Sequence, residues 1–517
     1  MRPIILAALM TVTLAACSSQ PPEEAALEAA AKALGATAVN SIQYSGSGLN
    51  HAYGQAYAPG GAWPAFKVTS YTAVVDYGAP AMRVELDRTN PDGVVRGGGG
   101  LPLLAPQKQI QAVSGDVAWS EGTQGGANLA APSTASPNPA ADRLRDIWKS
   151  PHGVIKAAQK AGTETVVTLQ PGGEAIVTFP AAGTTLKATL NADHLVEKVE
   201  HVVDDPVAGD AVWATTYSDY KDFNGVKFPT HIVQTQAGFP VLDLNVTDVQ
   251  VNPSTAINVP ANIKEAAAQP APPAVAPVKT TKLADGVFWF SGQGINTSAV
   301  EFRDHIVVWE STNDDALATA RFAAIREAIP NKPIKYVISS HHHNDHLGGL
   351  RTAVAEGAII ITQEQNKDWF EKVIATPHTV KPDRLAQSPK TATIETVGDK
   401  RVLTDGVRTM ELHRLLNFSH ADTMLMAYLP KEKILLETDA YNPPAPNAPP
   451  PPVVSPLHMN LYDNLQRLKL DVRQIAPGHG NLVTMNDLLA ITGKGQTRRA
   501  SVTHATTPPR ATLAERG

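Results

Sequence analysis

The first half of the chain alternates hydrophobic and polar positions with a period of two residues, which is typical of β-strands with one buried face. Segments rich in Val, Thr, Tyr and Phe recur between short turns. One stretch, residues 140–161, has helical periodicity with an interruption at Pro151. Residues 37–259 are therefore predicted to form a mostly antiparallel, β-rich domain with one helical insert, and residues 122–139 to form a loop.

The second half alternates strand-like and helix-like segments instead. A stretch rich in Pro and Ala, residues 260–280, separates the two halves, and its composition favours an extended linker. Beyond it, short buried strands such as 334–339 alternate with helical segments such as 315–329. This order predicts a layered α/β domain over residues 281–492, with its site on loops at strand ends, followed by a flexible tail over residues 493–517.

The N-terminus has the pattern of a bacterial export signal. The apolar, uncharged run of residues 4–16 is too short to cross a bilayer as a stable helix. The tetrapeptide that ends in Cys17 resembles the lipobox of bacterial lipoproteins, which implies that a signal peptide over residues 1–16 is removed and that Cys17 is acylated. We therefore expect an exported protein anchored to the membrane through Cys17, with residues 17–36 as a tether. Ser18 favours the outer membrane, facing the periplasm, and ordinary secretion is the alternative.

Charge and cysteine content narrow the chemistry. Lysine and arginine number 44 against 49 aspartates and glutamates, giving a net charge of −5 and a pI of about 6.3. Without a global basic field, nucleic-acid binding is disfavoured. The single cysteine, Cys17, excludes intramolecular disulfides and cysteine-rich zinc knuckles. Any metal site must therefore use His, Asp and Glu.

The strongest chemical signal is the segment Ser340-His-His-His-Asn-Asp-His-Leu-Gly-Gly349. Imidazole and carboxylate ligands suit zinc, iron(II) or manganese. The segment fits the motif His-x-His-x-Asp-His, and by this motif the chain resembles the metallo-β-lactamase superfamily over roughly residues 280–492. The resemblance implies an αββα sandwich in the C-terminal half and a dinuclear site with two Zn²⁺ ions, iron or manganese being alternatives.

Three further ligands are implied by the resemblance, each at the end of a strand. Candidates occur in the required order: His420 after Asn-Phe-Ser, Asp439 after an apolar strand, and His479 in a Pro-Gly turn. By position, one metal would be bound by three histidines, the other by an aspartate and two histidines, and Asp439 would bridge them. The ligand sets are His341, His343 and His420 for the first metal, and Asp345, His346 and His479 for the second.

The resemblance also implies a reaction. Two such metals share a hydroxide that attacks a small-molecule carbonyl or a phosphorus. Asp345 is a candidate proton shuttle to the leaving group, and Tyr441 is a candidate hydrogen-bond donor to the substrate carbonyl. A bridging Asp439, where the familiar β-lactamases have Cys or Ser, favours an ester, lactone or thioester. One departure is Glu310, where the family often has Asp near Gly; we expect it to alter the support of the ligands rather than metal binding.

Alternative functions remain at this stage. The same fold would serve a β-lactamase, or a single iron would serve redox chemistry as in the persulfide dioxygenases of the superfamily. A non-enzymatic alternative is an envelope protein that binds lipid or lipoprotein through the first domain, which resembles the curved-sheet periplasmic lipoprotein carriers, with the hydrolase domain subordinate.

Some residues near the motif have less specific predictions. The Pro-rich segment 443–456 is either a wall of the substrate groove or a tolerated insertion. His342 is expected to be structural or solvent-facing, and His378 and His413 are expected at the surface.

Overall fold

The computed structural model describes residues 22–124, 127–133, 138–270, 272–444 and 453–495. Cys17, the signal peptide, residues 445–452 of the Pro-rich segment and the tail after residue 495 lie outside the described residues. No helix in the described part of the chain is long and apolar enough to cross a membrane.

The first domain contains one sheet of thirteen antiparallel strands. The strands are β1 (Ser41–His51), β2 (Ala65–Asp76), β3 (Ala81–Thr89), β4 (Gln107–Ser114), β5 (Val117–Gln124), β6 (Ala127–Pro132), β7 (Val166–Leu169), β8 (Ala175–Ala181), β9 (Thr184–Leu190), β10 (Val196–Asp205), β11 (Gly209–Phe223), β12 (Val226–Gln236) and β13 (Phe239–Val251). β1 pairs with β13 in the middle of the sheet, so the first and last strands of the domain are neighbours. β6 pairs with β5 and lies in the range that was expected to be a loop.

Three helices pack on this sheet: α1 (Pro22–Leu34), α2 (Pro139–Lys149) and α3 (Pro151–Ala161). Pro151 separates α2 from α3, which confirms the interruption that the sequence predicts. A proline is tolerated in the first turn of a helix because its missing N–H needs no partner there. Ser150 precedes it as the N-cap and accepts a hydrogen bond from Gly153 N. Ile147, Val154 and Ile155 are fully buried.

The helix α1 is part of the first domain's core. Ala26, Ala30, Ala31 and Leu34 belong to the same hydrophobic cluster as the sheet. This differs from the tether expected for residues 17–36, because an alanine-rich helix face can lie close against other elements and bury its apolar surface.

The start of the expected linker over residues 260–280 is also packed. It forms α4 (Ala261–Ala267), and Ile263 is buried against Ala112 and Trp119 of the first sheet. The segment is therefore a docked helix at its beginning rather than extended chain.

The second domain has two sheets, of seven and six strands. The seven-stranded sheet contains β14 (Lys279–Ala284), β15 (Val287–Ser291), β16 (Thr297–Glu301), β17 (Ile306–Trp309), β18 (Ile334–Ile338), β19 (Ile359–Gln363) and β20 (Ile394–Val397). The six-stranded sheet contains β21 (Lys400–Thr404), β22 (Thr409–Arg414), β23 (Leu425–Leu429), β24 (Ile434–Glu437), β25 (Gln474–Pro477) and β26 (Val483–Thr484). Pairing is parallel from β17 to β20 and between β24 and β25, and antiparallel elsewhere.

Helices cover the outer faces of both sheets. They are α5 (Asp315–Ala328), α6 (Asn344–Leu347), α7 (Leu350–Glu356), α8 (Lys367–Ala375), α9 (Arg384–Gln387), α10 (Pro456–Leu468) and α11 (Met485–Ile491). Short 3₁₀ turns occur at Ala36–Ala38, Gly162–Glu164 and Glu364–Asn366.

The core of the second domain has three layers of apolar contacts. On β17, Val307 and Trp309 point between the two sheets, whereas Ile306 and Val308 face the helices on the other side. Alternate residues of a strand point to opposite faces, so a strand buried on both sides is apolar throughout. This arrangement confirms the predicted αββα sandwich and the mixed α/β class with a β-rich first domain.

Candidate metal centre

The histidine motif lies at the carboxyl end of β18. His341 and His343 are in the loop after the strand, and α6 begins at Asn344, which places Asp345 and His346 in its single turn. Loops at this edge of parallel strands commonly carry functional side chains, because the strands hold them in fixed positions.

The two glycines after the motif permit a close approach of the backbone. A Cβ atom at Gly348 would lie 1.6 Å from the carbonyl oxygen of Asn313, and one at Gly349 would lie 2.0 Å from that of Ser311. Any other residue would push the motif away from the loop that follows β17.

The six-stranded sheet supplies the other three candidate ligands. His420 lies in the loop between β22 and β23, Asp439 lies just after β24, and His479 lies just after β25. Because β24 and β25 are parallel neighbours, their carboxyl ends bring Asp439 and His479 to the same edge. Asp439 has a φ of 60°, in the left-handed region that few non-glycine residues adopt.

The structure brings all seven predicted ligands together. Three groups have donor atoms within 4.8 Å of one another: His341, His343 and His420 in the first, Asp345, His346 and His479 in the second, and His341, His346 and Asp439 in the third. The third group shares a histidine with each of the other two and places Asp439 between them. Its Oδ2 is 3.6 Å from His420 Nε2 and 2.8 Å from His346 Nε2, and its Oδ1 is 3.1 Å from His479 Nε2. A carboxylate in this place can contact cations in both groups.

The buried donor atoms at this point have no hydrogen-bond partner outside the cluster itself. They are His341 Nε2, His343 Nδ1, His346 Nε2, His420 Nε2 and Asp439 Oδ2. A buried polar atom without a partner costs about 1–3 kcal/mol, so several at one point need a shared partner. Divalent cations meet this need, since imidazole nitrogens and carboxylate oxygens are their ordinary ligands. The residues present therefore fit a metal site.

The pKa shifts in the cluster follow from burial and from the close approach of its charged groups. Burial lowers the pKa values of His341 and His343 well below the ordinary value of a histidine, and neighbouring imidazoles lower them further. These shifts favour the neutral imidazole, which is the form that binds metal. For His346, burial acts to lower the pKa, but three neighbouring carboxylates raise it well above the ordinary value. For Asp439, burial acts to raise the pKa, but the surrounding histidines hold it well below its usual range.

Glu310 supports the cluster without joining it. The residue is fully buried, and its Oε2 lies 3.3 Å from His346 Nδ1 while its Oε1 accepts a hydrogen bond from Ser340 N at 3.0 Å. A contact to one ring nitrogen orients the other, here His346 Nε2, toward the centre.

Two loops of the first domain cover the centre. The first is the loop 52–64, which contains Ala56. His343 Nε2 donates to the Ala56 carbonyl at 2.8 Å, and this contact turns His343 Nδ1 toward the other ligands. Gln55 Nε2 donates to Asp345 Oδ1 at 2.8 Å, and Gln55 Oε1 accepts from Gly99 N, in the loop 90–106, at 2.8 Å. Sequence reasoning missed these residues, because no local pattern signals a contact between positions so far apart in the chain.

A cavity of about 620 Å³ opens beside the centre and is lined by both domains. The first domain contributes Tyr53, Gln55 and Arg88, and the second contributes Asp345 and His479, among others. The residues Asn442 and Ser455 also line it. They flank the part of the Pro-rich segment that lies outside the described residues.

The structure contradicts the catalytic role expected for Tyr441. Its side chain is only 1% exposed and packs in the apolar cluster between the six-stranded sheet and α10 and α11. Burial raises its pKa to about 12, and its ring lies 4.9 Å from that of His458. The next residue, Asn442, reaches the cavity instead.

The three other histidines that the sequence analysis singled out are buried. His342 is structural, with Nδ1 2.9 Å from Thr423 Oγ1 and Nε2 2.8 Å from the Ala56 carbonyl. His378 and His413, expected at the surface, are 4% and 2% exposed. His413 contacts Glu411, and His378 lies near Asp204 of the first domain, so both have polar neighbours that the sequence does not reveal.

Comparisons with known proteins agree with the fold and the motif. Residues 295–363 match the family model described as the metallo-beta-lactamase superfamily. The matched residues include the histidine motif, and the C-terminal region has the metallo-β-lactamase fold. No curated protein matches the sequence.

Solved structures that overlap the chain include a metallo-beta-lactamase from Pontibacter korlensis, with 16% identity and a TM-score of 0.31, covering 42% of this chain and 97% of that one. A metallo-beta-lactamase from Hirschia baltica has 17% identity and a TM-score of 0.32, covering 42% of this chain and 98% of that one.

Proposed function

We propose that the second domain is a metal-dependent hydrolase that cleaves an ester, lactone or thioester of a small molecule. The observation that carries the proposal is the convergence of buried, unpartnered imidazole and carboxylate donors beside a cavity of small-molecule size. The family match supports hydrolysis. The aspartate at position 439 supports cleavage of an ester, lactone or thioester. The thioesterases and lactonases of the superfamily have an aspartate at this place, whereas its familiar β-lactamases have Cys or Ser.

Two Zn²⁺ ions are the proposed cofactors, and the same donors also suit iron or manganese. When bound, such cations supply Lewis acidity and bring the pKa of water toward neutrality. The residues that would hold them are His341, His343 and His420 in one group, Asp345, His346 and His479 in the other, and Asp439 between them.

Asp345 is the residue proposed to move protons. Its side chain is 32% exposed and lines the cavity, while Gln55 fixes its Oδ1. Water adds to the acyl carbon, the acyl–oxygen or acyl–sulfur bond breaks, and the proton lost by the water passes through Asp345 to the leaving oxygen or sulfur. Glu310 and Ala56 keep His346 and His343 in the orientations that this geometry requires.

The test is metal content per chain and hydrolysis for the protein lacking residues 1–17, compared with His343→Ala and with His231→Ala as a partly exposed control. The panel contains aryl esters, lactones, thioesters and nitrocefin. We expect metal binding and acyl-bond hydrolysis that His343→Ala abolishes and the control retains. A folded protein that binds no zinc at saturating concentration would refute the proposal. Faster turnover of nitrocefin than of the esters, lactones and thioesters would favour the β-lactamase alternative. Oxygen consumption by an iron-loaded form would favour redox chemistry.

A second candidate function, the binding of lipid or lipoprotein by the first domain, is favoured by a separate cavity of about 400 Å³ between its sheet and α2 and α3. The cavity is lined by apolar side chains such as Phe228, and by buried polar atoms without hydrogen-bond partners: both ring nitrogens of His201 and the hydroxyl of Thr215. Native mass spectrometry of the whole purified protein tests it. A bound lipid that is lost on His201→Phe would support this function, and an empty first domain after exposure to phospholipid vesicles would refute it.

We also propose that the protein is exported and anchored through acylated Cys17 in the outer membrane, facing the periplasm. Membrane fractionation of the protein and of Cys17→Ala tests this proposal. Equal release of both forms into the soluble fraction would contradict it.

A further inference from the structure

Arg88 is the only lysine or arginine that lines the cavity at the metal centre, within the part of the chain that the structure describes. Arg88 lies on β3 of the first domain. The loop 52–64, which precedes β2, and the loop 90–106, which follows β3, both reach the candidate ligands. The cavity therefore combines a cation from one domain with the histidine and aspartate cluster of the other.

The contacts of Arg88 leave it without a countercharge. Its Nε and one terminal nitrogen donate to Gln107 Oε1 at 3.1 and 2.9 Å, and the other terminal nitrogen donates to Asn50 Oδ1 at 3.0 Å. Both partners are neutral amides. Its guanidinium carbon also lies 3.8 Å above the ring of Phe66. Among the described residues, no carboxylate lies within ion-pair distance of Arg88.

The contacts hold the side chain of Arg88 in place but leave some of its N–H donors free. A guanidinium has five N–H groups, and the contacts above use three of them. The remaining two, one on each terminal nitrogen, are available to the oxygens of an oxyanion. Burial lowers the pKa of Arg88 to about 10, so it remains charged at neutral pH.

Arg83 on the same strand shows the contrast. Its guanidinium lies 3.2 Å from Glu85 and 3.5 Å from Glu121, so its charge is compensated within the sheet. Arg83 does not line the cavity. The unpaired state of Arg88 is therefore a property of its place in the cavity and not of the strand.

We propose that the substrate carries an oxyanion group, a carboxylate or a phosphate, which Arg88 binds while the scissile acyl bond lies at the metal centre. This inference rests on the proposed hydrolase function and narrows its substrate to acidic esters, lactones or thioesters. It also assigns the first domain a direct part in substrate selection, because the selecting cation lies outside the superfamily domain.

The kinetic test uses matched aryl esters. The 4-nitrophenyl monoester of glutaric acid carries a carboxylate, the 4-nitrophenyl ester of 4-phosphonobutanoic acid carries a phosphonate, and 4-nitrophenyl valerate is neutral. For the metal-loaded protein, we expect one acidic ester to have a kcat/KM at least tenfold above that of valerate, and the better acid identifies the oxyanion. Arg88→Gln should reduce this ratio at least tenfold, mainly through KM, whereas Arg83→Gln should leave the ratio unchanged.

A binding test separates this proposal from the hydrolase proposal. Calorimetry with glutarate and with phosphate, on the same protein preparations, measures the oxyanion contact even if no ester is hydrolysed. We expect Arg88→Gln to raise the Kd of one anion at least tenfold and Arg83→Gln to leave it unchanged. Equal anion affinity in the protein and in Arg88→Gln, or hydrolysis that does not distinguish acidic from neutral esters, would overturn the inference. Loss of hydrolysis with anion binding retained would instead count against the hydrolase function.

Discussion

Single side chains from the first domain hold the ligands of the second. Gln55 is the clearest case, because it donates to Asp345 and is itself held by Gly99 N. Such residues do not contact the reacting atoms, but they restrict where a ligand and proton carrier can lie. Positioning of this kind is sensitive to one hydrogen bond, since a hydrogen bond to a charged group contributes about 1.5–3 kcal/mol.

Replacing Gln55 with leucine should therefore slow hydrolysis. The carboxylate of Asp345 would lose its fixed orientation, and we expect kcat to fall about tenfold, with a smaller change in KM. The dependence of kcat on pH is the measurement that a purely structural role of Gln55 would leave unchanged. In Gln55→Leu, we expect the apparent pKa values at which kcat falls to shift. Gln250→Leu, at an exposed position of β13, is the matched control. An unchanged kcat and pH profile would show that Asp345 needs no such support.

Buried histidines away from the metal centre make stability depend on pH. Burial lowers the pKa of His152, in α3, to about 4, against about 6.5 in an unfolded chain. Between these values the unfolded chain binds a proton that the folded protein does not bind. Stability is therefore complete above about pH 6.5 and decreases as the pH falls.

At pH 5 this single group should cost about 2 kcal/mol of unfolding free energy relative to pH 7. Urea unfolding of the first domain at both pH values measures the difference. His152→Gln is expected to lose stability at both values but to show a smaller difference between them, whereas His231→Gln should retain the full difference. An identical pH dependence in His152→Gln would show that His152 is not the group responsible.

At the scale of elements, α1 forms part of the first domain's core. Leu34 is fully buried at its end, and His152 Nε2 donates to the Leu34 carbonyl at 3.2 Å. The helix thus closes one part of the first domain's core rather than standing between membrane and protein. Deletion of the residues up to 36 would remove side chains of the core and not only a spacer.

Leu34→Ala should reduce the free energy of unfolding by about 2–4 kcal/mol, because a fully buried leucine is replaced by a smaller side chain that leaves a cavity. Urea unfolding followed by circular dichroism is the measurement. Lys32→Ala, at an exposed position of the same helix, should change stability by less than about 0.5 kcal/mol. Equal effects of both substitutions would mean that α1 contributes no core.

At the scale of the whole molecule, the two domains share one site. Gly97 N donates to the Ser419 carbonyl at 2.8 Å, and Gly98 lies directly over the imidazoles of His343 and His420. A Cβ atom at Gly98 would lie 2.7 Å from His343 Cε1 and 2.0 Å from Gln55 Oε1. The loop of the first domain can cover the centre only because this position has no side chain.

Gly98→Ala should therefore displace the loop and weaken the centre without unfolding either domain. We expect a loss of about tenfold or more in zinc affinity or in kcat/KM, measured by competition with a chelator and by ester hydrolysis. Gly122→Ala, where a Cβ atom meets no atom within 4 Å, is the control. Wild-type zinc affinity together with wild-type hydrolysis in Gly98→Ala would contradict a shared site.

Much of the second domain could be predicted from local patterns. The His-x-His-x-Asp-His motif and the order of His420, Asp439 and His479 identified the residues that the structure brings together, because this motif and this order resemble those of a known superfamily. Tyr441 shows the limit of such reasoning. A residue two positions from a ligand can face the cavity or the core, and only the packing of α10 decides which.

By itself, the sequence determined the alternation of strands and helices in the second domain through local periodicity. It indicated the αββα sandwich and the seven candidate ligands through the resemblance of its motif to a known superfamily. The tertiary structure alone decided that α1 belongs to the core, that Gln55 and Ala56 orient ligands, and that Arg88 shares a cavity with them. The physical reason is that these contacts join residues hundreds of positions apart. They depend on how two separately folded surfaces fit, and no short-range pattern of hydrophobic and polar residues encodes that fit.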